Sequence, residues 1–309
     1  MKRLITIIIC ASLLTASFVY GDKVCNKVAN YFKSTPNVKI IDKNQYAKEY
    51  NYEYLQISND FIPYNYQELL NVFYTILDSG YDNFTFYCPE EYEDCLKDVE
   101  SISNPDNIET LTTIGNFVSP YNNFSTLRVK YDTAGEVTVD VTHLYNHDEI
   151  VKVSNKIDRI WKEIVTEGMS KLDIIYAFHD YIINNTKYDQ EFDEKSDVNT
   201  HDSSRALGPL YEGYAICSGY TDTMAVLLDK LGIVNYKVAS DSHVWNAFLY
   251  DDKWWHIDLT WDDPVTKDNS NRLEHTFFKI DTNTLEKFNI DNHAFKKSIY
   301  IELKQKEQE

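Results

Sequence analysis

The sequence predicts an α+β fold: a helix that carries a cysteine packs on an antiparallel sheet that carries a histidine and an aspartate, after a small α+β module. The first observation is a helical pattern of apolar residues that begins at Cys217 and ends before Gly232. The second is a series of four strand-like runs that follow it, at 234–240, 243–250, 253–260 and 275–280. The third is a mixed pattern before residue 150, with one helix and a hairpin signal.

Composition bounds the class of protein. The chain has 309 residues, of which 43% are hydrophobic, so it can form one large domain or two, and wholesale disorder is excluded. With 30 Lys and Arg against 49 Asp and Glu, the net charge is −19. Nucleic acids and anionic membranes repel so acidic a surface, so neither is expected as a partner.

Residues 1–21 have the pattern of an export signal. Lys2 and Arg3 precede an apolar run at 4–19, and small residues then precede Asp22. An uncleaved membrane anchor is the alternative, but the run is shorter than the about 20 apolar residues that span a bilayer. We therefore expect a secreted product that retains no membrane span after the signal is removed.

The region 22–150 is predicted to be a separately packed α+β module without a catalytic group. Its patterns indicate a helix at 66–79, a short strand at 83–87 and a hairpin with strands at 125–131 and 136–145. Two amphipathic helices, 155–165 and 170–185, then open the expected catalytic domain, 151–309.

Four cysteines remain after the signal segment: Cys25, Cys88, Cys95 and Cys217. A helix predicted at 89–101 would separate Cys88 from Cys95 by roughly 10 Å, at 1.5 Å per residue. Because disulfides join Cα atoms less than about 7 Å apart, these two are not expected to pair. Cys25 could pair with either of them, and Cys217 is the cysteine with a reason to stay free.

Cys217, His243 and Asp258 follow one another in the order of a thiol nucleophile, its base and the group that orients the base. Cys217 opens a helix, where unpaired N–H groups and the helix dipole stabilise a thiolate. A buried cysteine that merely fills the core is the alternative. The presence of a base and an orienting carboxylate at workable positions favours the catalytic interpretation.

The hairpin register tests whether these side chains can meet. A two-residue turn at Asp251 and Asp252 places His243 and Asp258 as diagonal neighbours on one face, roughly 7–8 Å apart at Cα. A three-residue turn would place them on opposite faces. Trp245 shares their face, which is the more polar one, and is a candidate for the substrate cleft, with core packing as the alternative.

No cofactor or metal is expected from the sequence. It contains no glycine-rich phosphate loop and no Cys/His cluster with zinc spacing. His143 and His147 lie at a strand end, where side chains at this spacing do not converge on one metal ion.

Several motifs in the C-terminal half form a joint pattern: HDYI at 179–182, TKYD at 186–189, AL at 206–207, ICSGY at 216–220, HVWN at 243–246 and WWHIDLTWDDP at 254–264. Together they make 155–281 resemble the bacterial transglutaminase-like (transglutaminase/protease-like) superfamily. The resemblance implies a papain-like core with a Cys-His-Asp triad, in which Cys217 is the nucleophile, His243 the general base and acid, and Asp258 the orienting group. Val244 is a mild departure, since the family often has Ala there.

The resemblance implies an enzyme that attacks a peptide or carboxamide carbonyl and forms a thioester with Cys217. Water would then complete a peptidase or amidase reaction, whereas an amine would complete a transglutaminase reaction, and no residue pattern decides between them. Cell-wall peptides or surface proteins are the expected substrates. Two alternatives stay open: a catalytically idle module that keeps the fold for binding, and a hydrolase of glycan amides similar to peptide N-glycanases.

Overall fold

A computed structural model of the chain describes residues 42–190, 202–265 and 272–304. The expected signal segment, 1–21, and Cys25 lie outside these residues. Within them, no helix is both long and apolar enough to cross a membrane. The structure contains helices and antiparallel sheets in both halves, which confirms the α+β class.

The N-terminal half combines one long helix with a three-stranded antiparallel sheet of order β1-β3-β2. Helix α1 begins after Asn65, whose side chain accepts from the Glu68 N–H, and ends at Gly80, which adopts φ 68°. The elements are α1 (Tyr66–Ser79), β1 (Asn83–Tyr87), α2 (Cys95–Ile102), α3 (Glu109–Gly115), β2 (Phe124–Tyr131) and β3 (Glu136–His143).

The C-terminal half opens with two helices whose first turns are closed by capping boxes, Asn146 with Glu149 and Ser170 with Asp173. A short parallel pair, β4 with β5, then leads into the helix that carries Cys217 and the antiparallel sheet β6-β7-β8. The elements are α4 (His147–Ile164), α5 (Lys171–Asn185), β4 (Lys187–Tyr188), β5 (Tyr214–Ala215), α6 (Cys217–Lys230), β6 (Asn235–Ala239), β7 (Val244–Tyr250), β8 (Lys253–Ile257), α7 (Leu259–Asp262) and α8 (Thr282–Lys287).

The expectation about Cys88 and Cys95 is wrong, because these two residues form a disulfide with their Cα atoms 5.6 Å apart. The helix predicted at 89–101 begins only at Cys95. Residues 89–94 instead form two successive turns, in which Tyr92 N–H donates to Pro89 and Cys95 N–H donates to Tyr92. These turns fold the chain back, so Cys88 and Cys95 lie closer together than a continuous helix would allow. Another departure is the strand expected at 275–280, which makes only one bridge, between Ile280 and His256.

The sheet β6-β7-β8 lies between two hydrophobic clusters, and this packing corrects two expectations. On one face, Trp245 and Ala247 join the buried side chains of α1 and the N-terminal sheet. On the other face, Phe248 and Ile257 join those of helices α4 to α6. Residues 42–150 are therefore not packed separately from this sheet, although the division at residue 150 itself remains a prediction. The face that carries Trp245 is also buried rather than polar.

Candidate active site

Cys217 is the first residue of helix α6, and it is the free cysteine of the described ranges. Its neighbour Ile216 donates its N–H to the Ser203 carbonyl at 2.9 Å, which attaches the helix start to the preceding loop. Gly219 allows this approach, because a Cβ there would lie 2.3 Å from the Ser203 carbonyl oxygen. Cys217 remains partly exposed.

The close contact at Gly219 makes a stability prediction. Gly219→Ala should lower the free energy of unfolding by about 1–3 kcal/mol, because the helix start or the loop must shift to admit the methyl group. Ser218→Ala, one residue earlier on the same turn, is the control and should change stability by no more than about 0.5 kcal/mol. Urea unfolding of the two variants measures both. Equal stabilities would show that the contact imposes no constraint.

The predicted hairpin register is confirmed. Tyr250 pairs with Lys253, and the two turn residues Asp251 and Asp252 have φ of 51° and 56°. Positive φ at both central positions is the geometry of a two-residue hairpin loop, which Asp tolerates better than most residues. The pairing continues to Asn246 opposite Ile257.

Asp258 leaves the strand and caps helix α7. Its Oδ1 accepts from the N–H groups of Thr260, at 3.0 Å, and Trp261, at 3.3 Å. The pairing of β7 with β8 therefore ends before residue 260, the expected end of the second strand. This cap fixes the carboxylate and leaves Oδ2 pointing at the imidazole of His243.

His243 and Asp258 form a buried, hydrogen-bonded pair, with Nε2 and Oδ2 2.6 Å apart. Burial lowers the pKa of His243, but the Asp258 carboxylate and hydrogen bonds to Asp258 and Cys217 outweigh it and raise that pKa to about 10. Burial raises the pKa of Asp258, but the charge and hydrogen bond of His243, together with His293, lower it to about 2. Both shifts favour an imidazolium–carboxylate pair near neutral pH.

Two polar side chains hold the cysteine helix against the histidine strand. Thr221 Oγ1 lies 2.7 Å from the carbonyl oxygen of Cys217 and 3.0 Å from that of Val244, so its single O–H is shared between them. Asn246 Nδ2 donates to the carbonyl of Thr221 at 3.0 Å. These bonds fix the backbone of the helix start relative to the strand that follows His243.

His293 is a member of the site that the sequence analysis missed. It lies in a single 3₁₀ turn, Asp291–His293, beyond every motif quoted above, and a lone histidine carries no signal of its own. Its Nε2 is 2.9 Å from Asp258 Oδ2, the same oxygen that contacts His243. Its Nδ1 has no hydrogen-bond partner within the described ranges. Asp258 is thus held by two imidazoles and two backbone amides.

Removing the His293 contact should weaken the site without dismantling it. His293→Phe keeps an aromatic ring but removes the donor to Asp258, and we expect a loss of about tenfold in the acylation rate of Cys217. His293→Gln retains an N–H donor and should recover part of that rate. Stopped-flow acylation by p-nitrophenyl acetate compares the two variants. Equal losses in both would assign His293 a packing role only.

Trp245 does not line an open cleft as expected, because only 1% of it is exposed. Its ring stacks on the His243 ring, with centroids 5.7 Å apart and planes 15° apart. Its Nε1 donates to His256 Nδ1 at 3.0 Å. Burial, with a smaller contribution from His293, lowers the pKa of His256 to about 3, so this imidazole is neutral and its Nδ1 is free to accept. Trp245 is therefore a packed support beneath the His243 ring.

Residues 158–259 match the family model of the transglutaminase-like superfamily, and this range contains Cys217, His243 and Asp258. This part of the chain is a transglutaminase-like domain. His293 lies outside the matched range, as does the whole N-terminal half.

Solved structures resemble the chain only over part of its length. A crystal structure of a TGase aligns with 18% identity and a TM-score of 0.35, covering 51% of this chain and 50% of that one. A candidate cysteine protease from Cytophaga hutchinsonii aligns with 13% identity and a TM-score of 0.27, covering 43% of this chain and 61% of that one. No curated protein matches the sequence significantly. The chain spans 50% and 61% of the length of these two solved structures.

Proposed function

We propose that the protein is a cysteine acyltransferase or hydrolase, in which Cys217 attacks the carbonyl carbon of a peptide or carboxamide bond. The observation that carries the proposal is the buried His243–Asp258 pair, whose imidazole is hydrogen-bonded to the Cys217 thiol at a helix start. Because Nε2 of His243 is taken by Asp258, its Nδ1 is the nitrogen available to the sulfur. A thiolate next to an imidazolium is already activated before the substrate binds.

In the proposed reaction the Cys217 thiolate forms a C–S bond, and the carbonyl oxygen becomes an oxyanion. The Cys217 N–H, unpaired at the helix start, is one donor to this oxyanion. As the C–N bond breaks, His243 transfers its Nδ1 proton to the departing amine or ammonia. His243 then removes a proton from water or from an amine, which attacks the thioester and releases the thiol. Asp258 keeps the imidazole oriented and stabilises its charge throughout.

We further propose that this chemistry takes place outside the cytoplasm, on peptides or proteins of the cell wall or cell surface. The export pattern at 1–21 and the acidic composition support this location. The substrate class follows from the resemblance of the motifs, and it is what the experiment below addresses.

Trapping the acyl-enzyme tests the proposal. The purified protein is incubated with a library of peptides that contain glutamine, together with glycopeptides and cell-wall peptides, and then quenched in acid for intact-mass and peptide-level mass spectrometry. We expect a mass increase on Cys217 that is absent in Cys217→Ala. Addition of a primary amine then separates transfer from hydrolysis, and release of an N-linked glycan would identify a glycan-amide hydrolase. A thiol that neither acylates nor reacts with electrophilic probes would instead indicate an idle binding module.

A further inference from the structure

A second cluster of ligand-type side chains lies apart from the cysteine site. It consists of His179 and Asp180 on helix α5 and His275 on the segment 272–280. Asp180 Oδ1 is 3.0 Å from His179 Nδ1 and 2.7 Å from His275 Nε2. The sequence gives no hint of this group, because 95 residues separate Asp180 from His275.

The two ring nitrogens of His179 each lie close to a carboxylate. His179 is fully buried, and its Nε2 is 3.1 Å from Oδ2 of Asp262, which is also fully buried. Its two nitrogens therefore face two carboxylates, those of Asp180 and Asp262. A neutral imidazole has one N–H, so when that N–H donates to one carboxylate the other nitrogen keeps a lone pair that can bind a metal ion.

A metal ion at the Asp180 side would use both features of the His179 ring. His179 Nδ1 would then use its lone pair as a ligand, and its Nε2–H would donate to the Asp262 carboxylate. This is the arrangement in which a carboxylate commonly orients a metal-binding histidine. The Phe277 N–H in turn donates to Asp262 Oδ1 at 2.9 Å, so the orienting carboxylate is itself fixed.

The donor set indicates which ion would fit. Two imidazole nitrogens and one carboxylate oxygen, all within 4.8 Å of one another, match the three protein ligands of an open zinc site. At bond lengths of about 2.0–2.1 Å, tetrahedral ligand atoms lie about 3.3 Å apart, so small side-chain shifts from the present 2.7 and 3.0 Å suffice. The side chains of Asp180 and His275 are 28% and 32% exposed, which leaves access for an ion and a water ligand.

The other histidine–carboxylate cluster within the described ranges suits a metal less well. His243, Asp258 and His293 are all buried, and the remaining nitrogen of His243 serves the thiol. Proton transfer in the proposed reaction explains why those three residues lie together, whereas the cluster at His179 has no part in that reaction.

We propose that His179 Nδ1, the Asp180 carboxylate and His275 Nε2 bind a divalent transition-metal ion of the zinc type, with Asp262 orienting His179. The ion would fasten the segment 272–280 to helix α5. This segment also reaches the cysteine site, because the Phe277 carbonyl accepts from Asp258 N–H at 3.2 Å. The proposed metal site does not depend on the proposed function, because it is inferred from the geometry of His179, Asp180 and His275 alone.

Metal binding by the full chain tests this proposal directly. The experiment uses the Cys217→Ala background, so that the thiol cannot act as a ligand, and measures Zn²⁺ by equilibrium dialysis and Co²⁺ by its visible absorption. We expect one ion per chain. His275→Ala and Asp180→Asn remove ligands at partly exposed positions and should weaken binding at least tenfold. His147→Ala changes an exposed histidine at the start of α4 and serves as the matched control.

The outcomes separate the possibilities. Weakened binding in His275→Ala and Asp180→Asn, with unchanged binding in His147→Ala, supports the site. Binding that is equally strong in all three variants would place the ion elsewhere and overturn the proposal. Absence of saturable Zn²⁺ binding at concentrations up to about 100 µM, in a background protein whose circular dichroism matches wild type, would also overturn it.

Discussion

Cys217→Ala is expected to abolish acyl transfer, with a loss of about four orders of magnitude or more, while the free energy of unfolding changes little. Cys217 supplies the attacking atom in the proposed reaction, and removal of a nucleophile costs about as much as removal of a whole triad. The substitution is nevertheless small, and it lies at a partly exposed helix start where alanine is tolerated. Acylation by p-nitrophenyl acetate and thermal melting measure the two effects.

Cys217→Ser serves as the control for this prediction. It keeps the size and a nucleophilic atom but cannot supply a thiolate, so we expect nearly the same loss of activity as in Cys217→Ala. A parallel decrease of melting temperature and activity in both variants would mark Cys217 as a structural residue.

His243→Ala gives independent evidence on the same thiol. Alkylation of Cys217 by iodoacetamide proceeds through the thiolate, which the His243 imidazolium stabilises. At pH 6 we expect alkylation to slow about tenfold or more in the variant. An unchanged rate would remove His243 from the role of ion-pair partner.

Asp258→Asn is expected to produce the second-largest effect, a loss of up to about 10⁴-fold in acylation by a peptide carboxamide. Asparagine can still cap helix α7, but it no longer carries the charge that stabilises the His243 imidazolium. The loss should be smaller with p-nitrophenyl acetate, because its leaving group needs no proton from His243. We also expect a smaller loss than for Cys217→Ala, because the thiol supplies part of its own nucleophilicity.

The ion pair also predicts how stability depends on pH. The pKa of His243 is raised from 6.5 to about 10 in the folded protein. The contribution of His243 to the free energy of unfolding is therefore complete below pH 6.5 and is lost as the pH rises through 10. The pKa of Asp258 is lowered from 3.8 to about 2, so its contribution is complete above pH 3.8 and is lost as the pH falls through 2. The ion pair therefore stabilises the folded protein most between pH 3.8 and 6.5.

Asp258→Asn should accordingly reduce the free energy of unfolding more at pH 6 than at pH 10.5. Asp140→Asn, at a partly exposed aspartate of the N-terminal sheet, is the control and should show a much weaker dependence over this range. Urea unfolding at both pH values decides the matter. A destabilisation by Asp258→Asn that does not vary with pH would mean that helix capping, rather than the ion pair, accounts for it.

The sequence by itself determined the elements whose signals are local. The start of the Cys217 helix, the capping box at Ser170 and the two-residue turn at Asp251 and Asp252 each depend on residues within a few positions of one another. From that turn alone, the register brought His243 and Asp258 to one face, because each residue along a strand alternates sides.

Only the tertiary structure decided what meets across long distances in sequence. His293 reaches Asp258 from 35 residues away, and His275 reaches Asp180 from 95, and neither contact has a periodic or spacing signal. The sequence likewise does not predict the burial of Trp245. Alternation along β7 shows which residues share a face of the sheet, but not that α1 and the N-terminal sheet cover that face. Local propensity is encoded by neighbours in the chain, whereas packing depends on which apolar surfaces find each other in the folded protein.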